Sequence, residues 1–224
     1  MRVRQHLRDL GRAIGRGVFP QQFSWLLELP ARRLLLSPGR LAARLHLQPD
    51  RSVLEVGAGS GFYSIEVAKR LTRGRLALAD IQPGMLQRCK TKAAAAGLTN
   101  VDFVGTDAST LPFASASFDL VYLVAVLGEI QDTDGAVREL RRVLRPAGVL
   151  SVSEHLPDPD FTTRTALRSR LHQAGFAPIA EEGPWCAYTA TFSRSIPVDS
   201  YAGVAATLSP LKMAQPVEGQ PGNG

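Results

Sequence analysis

A short apolar segment that runs directly into three closely spaced glycines restricts the fold of this chain more than any other feature. The apolar segment covers residues 53–56, and Gly57, Gly59 and Gly61 follow it before a helix-like stretch begins at Phe62. Glycine adopts backbone angles that side chains disfavour, and it lets a ligand approach the main chain closely. The sequence therefore predicts a strand, a tight ligand-facing turn and a helix.

The order of strand and then helix repeats along the chain. Continuous apolar strands alternating with helices predict an α/β fold with a mostly parallel sheet covered by helices on both faces. Such sheets bind ligands beyond the carboxyl ends of their strands. We predict strands at residues 53–56, 75–79, 101–104, 118–126, 148–153, 178–181 and 187–192. We predict helices at residues 62–71, 85–95, 135–144 and 162–174, and a further helix that starts at Ser37-Pro38.

The spacing of the glycines distinguishes two kinds of nucleotide-binding turn. The dinucleotide fingerprint has glycines at its first, third and sixth positions, but here Phe62 is sixth and the last glycine, Gly61, is fifth. With Glu55 two residues ahead, the pattern resembles motif I of the class I S-adenosylmethionine-dependent methyltransferases. The chain is similar to the type 11 methyltransferase domain of the ubiquinone/menaquinone biosynthesis methyltransferases. The resemblance implies a Rossmann-like, doubly wound, seven-stranded sheet and S-adenosyl-L-methionine as the cofactor.

Further motifs extend the resemblance over about residues 37–194. An acid stands at Asp80, where the family's acid accepts hydrogen bonds from both ribose hydroxyls, and Asp107 follows the third strand, where the family holds adenine. Residues 142–148 resemble the family's turn into strand five, although its Pro-Gly-Gly is Pro-Ala-Gly here. The resemblance thus implies cofactor contacts from Glu55, Gly57, Ala58, Gly59, Gly61, Asp80, Ile81, Asp107, Ala108 and Val124.

Candidates for a catalytic role follow predicted strands four and five. Methyl transfer from a sulfonium needs mainly a nucleophile held in line at about 3–3.5 Å, and a base only if that nucleophile carries a tightly held proton. Glu129 could orient the acceptor or face the sulfonium, and His155, which follows Glu154, titrates in the range suited to a base. Structural roles, as a helix-start acid for Glu129 and a loop histidine for His155, stay open.

The motifs are specific to the fold and the cofactor, and they leave the acceptor open. The separated Cys89 and Cys186 do not favour a metalloid acceptor, and no spaced set of histidines and cysteines predicts a metal site. Residues 127–130 lack the proline-rich motif of amino-type DNA methyltransferases, so we predict no nucleic-acid partner. We expect a small-molecule acceptor, lipophilic or anionic. Two alternatives stay open. One is a non-catalytic S-adenosylmethionine-binding protein, and the other is a nucleotide-dependent oxidoreductase, which Phe62 disfavours.

The positive charge is concentrated near the N-terminus. Residues 1–50 hold nine arginines and three acidic residues, a net charge of +6 that equals the formal charge of the whole chain. We predict a basic amphipathic helical segment at residues 1–36, the methyltransferase domain at 37–194 and a mostly disordered tail at 195–224. The first segment suits either packing on the domain or peripheral contact with an anionic membrane. The cysteines and the lack of a long apolar run predict a cytoplasmic protein, and its oligomeric state stays open.

Overall fold

Seven strands and five α-helices make up the regular structure of residues 36–156 and 158–194, the part of the chain that the computed structural model describes. The strands are β1 (Ser52–Val56), β2 (Arg75–Asp80), β3 (Val101–Gly105), β4 (Phe118–Val124), β5 (Leu144–His155), β6 (Phe176–Glu182) and β7 (Ala187–Arg194). The helices are α1 (Pro38–Arg44), α2 (Ser64–Arg70), α3 (Pro83–Ala95), α4 (Thr133–Val143) and α5 (Arg164–Gln173). The predicted N-terminal segment, except Leu36, and the predicted C-terminal tail lie outside the described residues.

The strands form one sheet in the order β3-β2-β1-β4-β5-β7-β6. The first five strands of this order are mutually parallel, and β7 runs antiparallel to both β5 and β6. The chain winds outward in one direction from β1 to β3 and in the other from β4 onward, so a crevice opens at the carboxyl ends of β1 and β4. The prediction of a Rossmann-like, doubly wound, mostly parallel, seven-stranded sheet is confirmed.

Separate apolar cores lie on the two faces of the sheet. Along β4, Val121 and Leu123 face the core beneath α4 and α5, whereas Leu120 and Tyr122 face the core beneath α1, α2 and α3. This alternation follows from the two-residue repeat of a strand. The side chains that β4 presents at its carboxyl end are thereby fixed to one face or the other.

Local signals set the ends of several elements. Ser37 caps α1 by accepting the Arg40 N–H at 3.2 Å, and Pro38 occupies the first turn, as predicted. Strand β4 ends at Val124, two residues earlier than predicted, because Ala125 adopts a left-handed conformation with φ 54°. Strand β5 begins earlier than predicted, because Leu144 already pairs with Phe118 before a register shift.

Candidate active site

The three glycines form a tight turn between β1 and α2. Their φ angles are 74° at Gly57, 53° at Gly59 and 77° at Gly61, in the left-handed region that disfavours side chains. The Gly57 N–H donates to Ala79 O at 2.8 Å, which ties the turn to the end of β2. A Cβ on Gly57 would lie only 2.5 Å from Cγ2 of Val126. Both the backbone angle and the close packing therefore require glycine at this position.

The carboxylate of Asp80 contacts the glycine turn directly. Its Oδ2 accepts the Gly59 N–H and its Oδ1 accepts the Gln82 N–H, each at 2.8 Å. Burial raises the pKa of Asp80, and the two N–H donors oppose that rise. Each carboxylate oxygen has a further lone pair that can accept a ligand hydroxyl. The structure thus brings Gly59 and Asp80 into one crevice, and it gives Asp80 a role in holding the turn that sequence reasoning missed.

The turns that follow β2 and β3 lie side by side. The Thr106 N–H donates to Asp80 O at 3.1 Å and joins them. Asp107 is exposed, and its Oδ1 accepts the N–H and the hydroxyl of Ser109 at 2.8 and 2.7 Å, bonds that lower the pKa of Asp107. Ile81 is half exposed, one of two large apolar side chains so exposed among the described residues. An apolar surface beside an ionised acid suits a planar ring that carries an amino group at its edge.

Three more of the predicted contact residues are apolar and lie in the turns and strand ends around the crevice. Ala58 and Val124 are buried and belong to the core beneath α1, α2 and α3. Ala108 is half-buried and packs against the opposite core. Their direct contact with a cofactor stays a prediction.

Glu55 lies inside the protein, behind the glycine turn. Its Oε2 accepts the hydroxyl hydrogens of Ser64 at 2.5 Å and of Tyr122 at 2.7 Å, so the carboxyl links β1, α2 and β4. Burial raises the pKa of Glu55 to about 7, although both hydroxyls lower it. A contact between Glu55 and the cofactor stays a prediction, whereas its hydrogen bonds show that it supports the turn.

A clamp from α4 holds the segment that follows the Asp107 turn. Arg142 donates to Leu111 O at 2.9 Å and to Phe113 O at 2.7 Å, and its Nε donates to Glu139 at 2.7 Å. Glu139 also accepts the Leu111 N–H at 2.9 Å. Arg142 opens the 142–148 motif of the resemblance, but sequence reasoning did not show that it contacts the segment after the Asp107 turn.

The carboxyl end of β5 presents an acid and a histidine on opposite faces. Glu154 lies opposite Tyr188, on the side of α4 and α5, and the strand alternation places His155 on the side of α1, α2 and α3. Both residues are buried, and burial, with Asp158 next, raises the pKa of Glu154 to about 8. Glu129, half-buried in a short 3-10 turn at Leu127–Glu129, contributes to that rise. Of the two predicted catalytic residues, Glu129 is therefore a neighbour of Glu154, and His155 faces the other side of the sheet.

No cluster of three or more histidine, cysteine, aspartate or glutamate side chains suitable for a metal ion occurs within residues 36–156 and 158–194.

Comparison with known sequences identifies the region that builds the crevice. Residues 54–152 match the model of a family described as a methyltransferase domain. Over 109 residues the chain is 38% identical to the ubiquinone/menaquinone biosynthesis C-methyltransferase UbiE of Hahella chejuensis and 35% identical to that of Shewanella frigidimarina. These matches cover 46% and 48% of this chain and 42% and 43% of the relatives. The chain thus spans less than half the length of these curated relatives.

Comparison with solved structures supports the same fold. A crystal structure of a SAM dependent methyltransferase from Aquifex aeolicus matches with a TM-score of 0.74 and 21% identity, over 80% of this chain and 100% of that one. The [4+2]-cyclase SpnF matches with a TM-score of 0.63 and 22% identity, over 81% of this chain and 84% of that one. At these identities the likeness shows the fold alone, and a fold does not determine the chemistry.

Proposed function

We propose that this chain transfers the methyl group of S-adenosylmethionine to a small lipophilic acceptor, because residues 54–152 match the methyltransferase domain family and the sheet has the fold of a SAM dependent methyltransferase. The observation that carries the proposal is the contact between Gly59 and Asp80, 2.8 Å long, in the crevice at the carboxyl ends of β1 and β2. It fixes the carboxylate beside the glycine turn and leaves each oxygen a further lone pair that could accept a ribose hydroxyl. Ile81 and Asp107 then offer an apolar face and an ionised acceptor to an adenine ring.

Two residues that follow β4 and end β5, on opposite faces of the sheet, would orient the acceptor and receive a proton. S-adenosylmethionine, when bound, supplies a methyl group on a positively charged sulfur. Glu129 sits at the turn after β4, where its carboxylate favours positive charge in the crevice. His155, at the end of β5, is the candidate to receive the proton of an acceptor hydroxyl. Most of the rate acceleration would come from holding the acceptor in line with the methyl group, because the two reactants then meet already oriented.

A quinone precursor is the first acceptor to test. The relatives that match residues of this domain are named ubiquinone/menaquinone biosynthesis C-methyltransferases, and a hydroquinone ring combines an apolar body with an ionisable hydroxyl. The match covers less than half of those proteins, so the acceptor is proposed from their names together with the buried character of the crevice.

Peripheral membrane contact through residues 1–36 is a second part of the proposal. No helix of the described residues is long and apolar enough to cross a membrane. The arginine stripe at Arg4, Arg8, Arg12 and Arg16 would instead attract an anionic surface. Co-sedimentation of the full chain with anionic vesicles tests this contact, with a variant that carries glutamine at all four positions as the control. Equal, negligible pelleting of both proteins would refute it.

Two successive experiments test the methyl transfer. Calorimetry should show binding of S-adenosylhomocysteine and no binding of NAD, because Phe62 replaces the sixth-position glycine of the dinucleotide fingerprint. Labelled S-adenosylmethionine is then incubated with hydroquinones that do or do not carry an isoprenoid chain. Binding of S-adenosylhomocysteine without methyl transfer to any acceptor would favour the non-catalytic alternative. Binding of NAD alone would favour the oxidoreductase.

A further inference from the structure

A buried cluster of hydrogen-bond donors lies between α1 and the strands β5 and β7. Arg44, the last residue of α1, is only 7% exposed, and its Nη1 donates to Oγ1 of Thr189 at 3.2 Å. That hydroxyl lies 2.8 Å from Oγ of Ser153 on the neighbouring strand. Thr189 and Ser153 are themselves buried. We call Arg44, Ser153 and Thr189 the donor cluster.

The positive charge of the donor cluster has no direct counterion among the residues that the structure describes. Burial lowers the pKa of Arg44; Glu182 opposes this fall, and the cations Arg40 and Arg164 reinforce it. Glu182 pairs with His46 at 3.2 Å and forms no ion pair with Arg44. Buried arginines in proteins are almost always paired, because an uncompensated buried charge is costly. An anion would supply the partner that the described residues do not.

Counting donors and acceptors leads to the same result. A guanidinium carries five N–H donors and no acceptor. Among the described residues, the side chain of Arg44 donates one hydrogen bond, to Thr189. A single hydrogen lies between the hydroxyls of Thr189 and Ser153, so the hydrogen of the other hydroxyl points elsewhere. On the same face of β5, the buried hydroxyl of Ser151 has no hydrogen-bond partner in the described structure. The cluster therefore offers donors in excess and suits a ligand that only accepts.

The donor cluster lies toward the same end of the sheet as the crevice, where β5 ends. Ser153 is two residues before His155 on β5 and projects from the same face. The turn between β6 and β7 covers the guanidinium: Gly183 has φ 98°, and a Cβ there would lie 2.6 Å from Nη2 of Arg44. Glycine at this position makes room for the guanidinium. The same face of β5 thus presents the donor cluster and then, one pleat nearer the carboxyl end of the strand, His155.

We propose that Arg44, Thr189 and Ser153 form a binding site for an oxyanion, a carboxylate or a phosphate, and that the methyl acceptor carries this group. The second half rests on the proposed methyl transfer, whereas the first half does not. A guanidinium presents paired N–H groups that match two oxygens of such an anion, and charge-assisted bonds of this kind are stronger than neutral ones. The anion would hold the acceptor by its polar end while His155 lies beyond it on the same face.

Binding of two simple anions to the full chain tests the first half. Inorganic phosphate and benzoate are titrated by calorimetry at constant ionic strength set with chloride. We expect Arg44→Met to weaken binding by about tenfold or more and Thr189→Val by about threefold to tenfold, as for the loss of charged and neutral hydrogen bonds. Arg73→Met is the control, because Arg73 is exposed in the loop before β2, at the opposite edge of the sheet. It should bind both probes as the wild type does.

Each outcome of this titration decides something. Binding of benzoate alone assigns a carboxylate, binding of phosphate alone assigns a phosphate, and binding of neither to the wild type overturns the site. Wild-type affinity in Arg44→Met also overturns it. If Arg44→Met does not fold, Thr189→Val, which preserves the shape of the side chain, decides instead, and wild-type affinity in that variant refutes the site.

A comparison of acceptors tests the second half and separates it from the proposed function. Hydroquinones with and without a carboxylate are compared as acceptors, and the carboxylate should lower KM for the wild type but not for Thr189→Val. Equal KM values in the wild type would refute an anionic acceptor. Failure of the wild type to bind S-adenosylhomocysteine would refute the proposed methyl transfer and leave the anion titration valid.

Discussion

Replacement of Asp80 by alanine should weaken both the protein and its cofactor site. The variant loses the acceptors of the Gly59 and Gln82 N–H groups, both 2.8 Å from the carboxylate. A hydrogen bond to a charged group contributes about 1.5–3 kcal/mol. Because burial already disfavours the charged form of Asp80, we take the lower end for each bond and expect the free energy of unfolding to fall by about 2–4 kcal/mol.

The same substitution should weaken S-adenosylhomocysteine binding by about 1.5–3 kcal/mol, or roughly 10- to 150-fold in Kd. Two ribose hydroxyls would lose their acceptor, and Gly59 would lose the bond that fixes its peptide group. Calorimetry measures the affinity and urea denaturation the stability. Asp102→Ala is the matched control: Asp102 is an exposed acid on β3 that pairs with Arg75 at 2.7 Å, so its loss should change the stability little and leave the affinity unchanged. A folded Asp80→Ala protein with wild-type affinity would refute the ribose role.

Three further substitutions test the supports of the crevice. Gly57→Ala places a Cβ 2.5 Å from Val126 and should weaken S-adenosylhomocysteine binding at least tenfold, about 1.4 kcal/mol, with partial recovery in the double variant with Val126→Ala. The folded-state pKa of Glu55 is raised from 4.5 to about 7, so its contribution to stability is greatest below pH 4.5 and is lost as the pH rises toward 7. Glu55→Gln should flatten this part of the stability curve, by up to about 3 kcal/mol between its ends. Lysine lacks the planar guanidinium whose three nitrogens bond Leu111, Phe113 and Glu139 at once, so Arg142→Lys should lower the unfolding free energy by about 1–3 kcal/mol, measured by urea denaturation.

The same measurements can refute each of these three expectations. Wild-type binding by Gly57→Ala would show that the turn tolerates a side chain in the left-handed region. An unchanged slope of stability against pH in Glu55→Gln would show that Glu55 does not keep its proton in the folded state near neutral pH. Wild-type stability in Arg142→Lys would show that the clamp does not hold the segment after the Asp107 turn.

Hydrophobic periodicity was sufficient to predict the strand order along the chain and the sheet class, because the pattern is local. The glycine spacing likewise predicts the turn after β1 without reference to β3 or β4, because the glycines are close together in the chain. Strand ends were less predictable: β4 ends at Val124, before Ala125, which has a left-handed φ of 54° and donates its N–H to Ser153 O, 2.8 Å away on β5. That bond exists only once the sheet has formed.

Side-chain partners were the least predictable part of the site. Glu55 meets Tyr122 from 67 positions away, and Arg44 meets Thr189 from 145 positions away. No periodicity or motif connects such residues, because their contact results from the packing of elements that are remote in the chain. The sequence did place Glu129 and His155 at the carboxyl edge, but not on different faces of the sheet, which depends on the register of β5.

A crystal structure with S-adenosylhomocysteine tests the assignment of the crevice most directly. The ribose hydroxyls should lie within hydrogen-bonding distance of Asp80, the adenine between Ile81 and Asp107, and the sulfur toward the carboxyl ends of β1 and β4. A ligand bound elsewhere on the chain, with the Asp80 carboxylate bonded only to Gly59 and Gln82, would contradict this assignment.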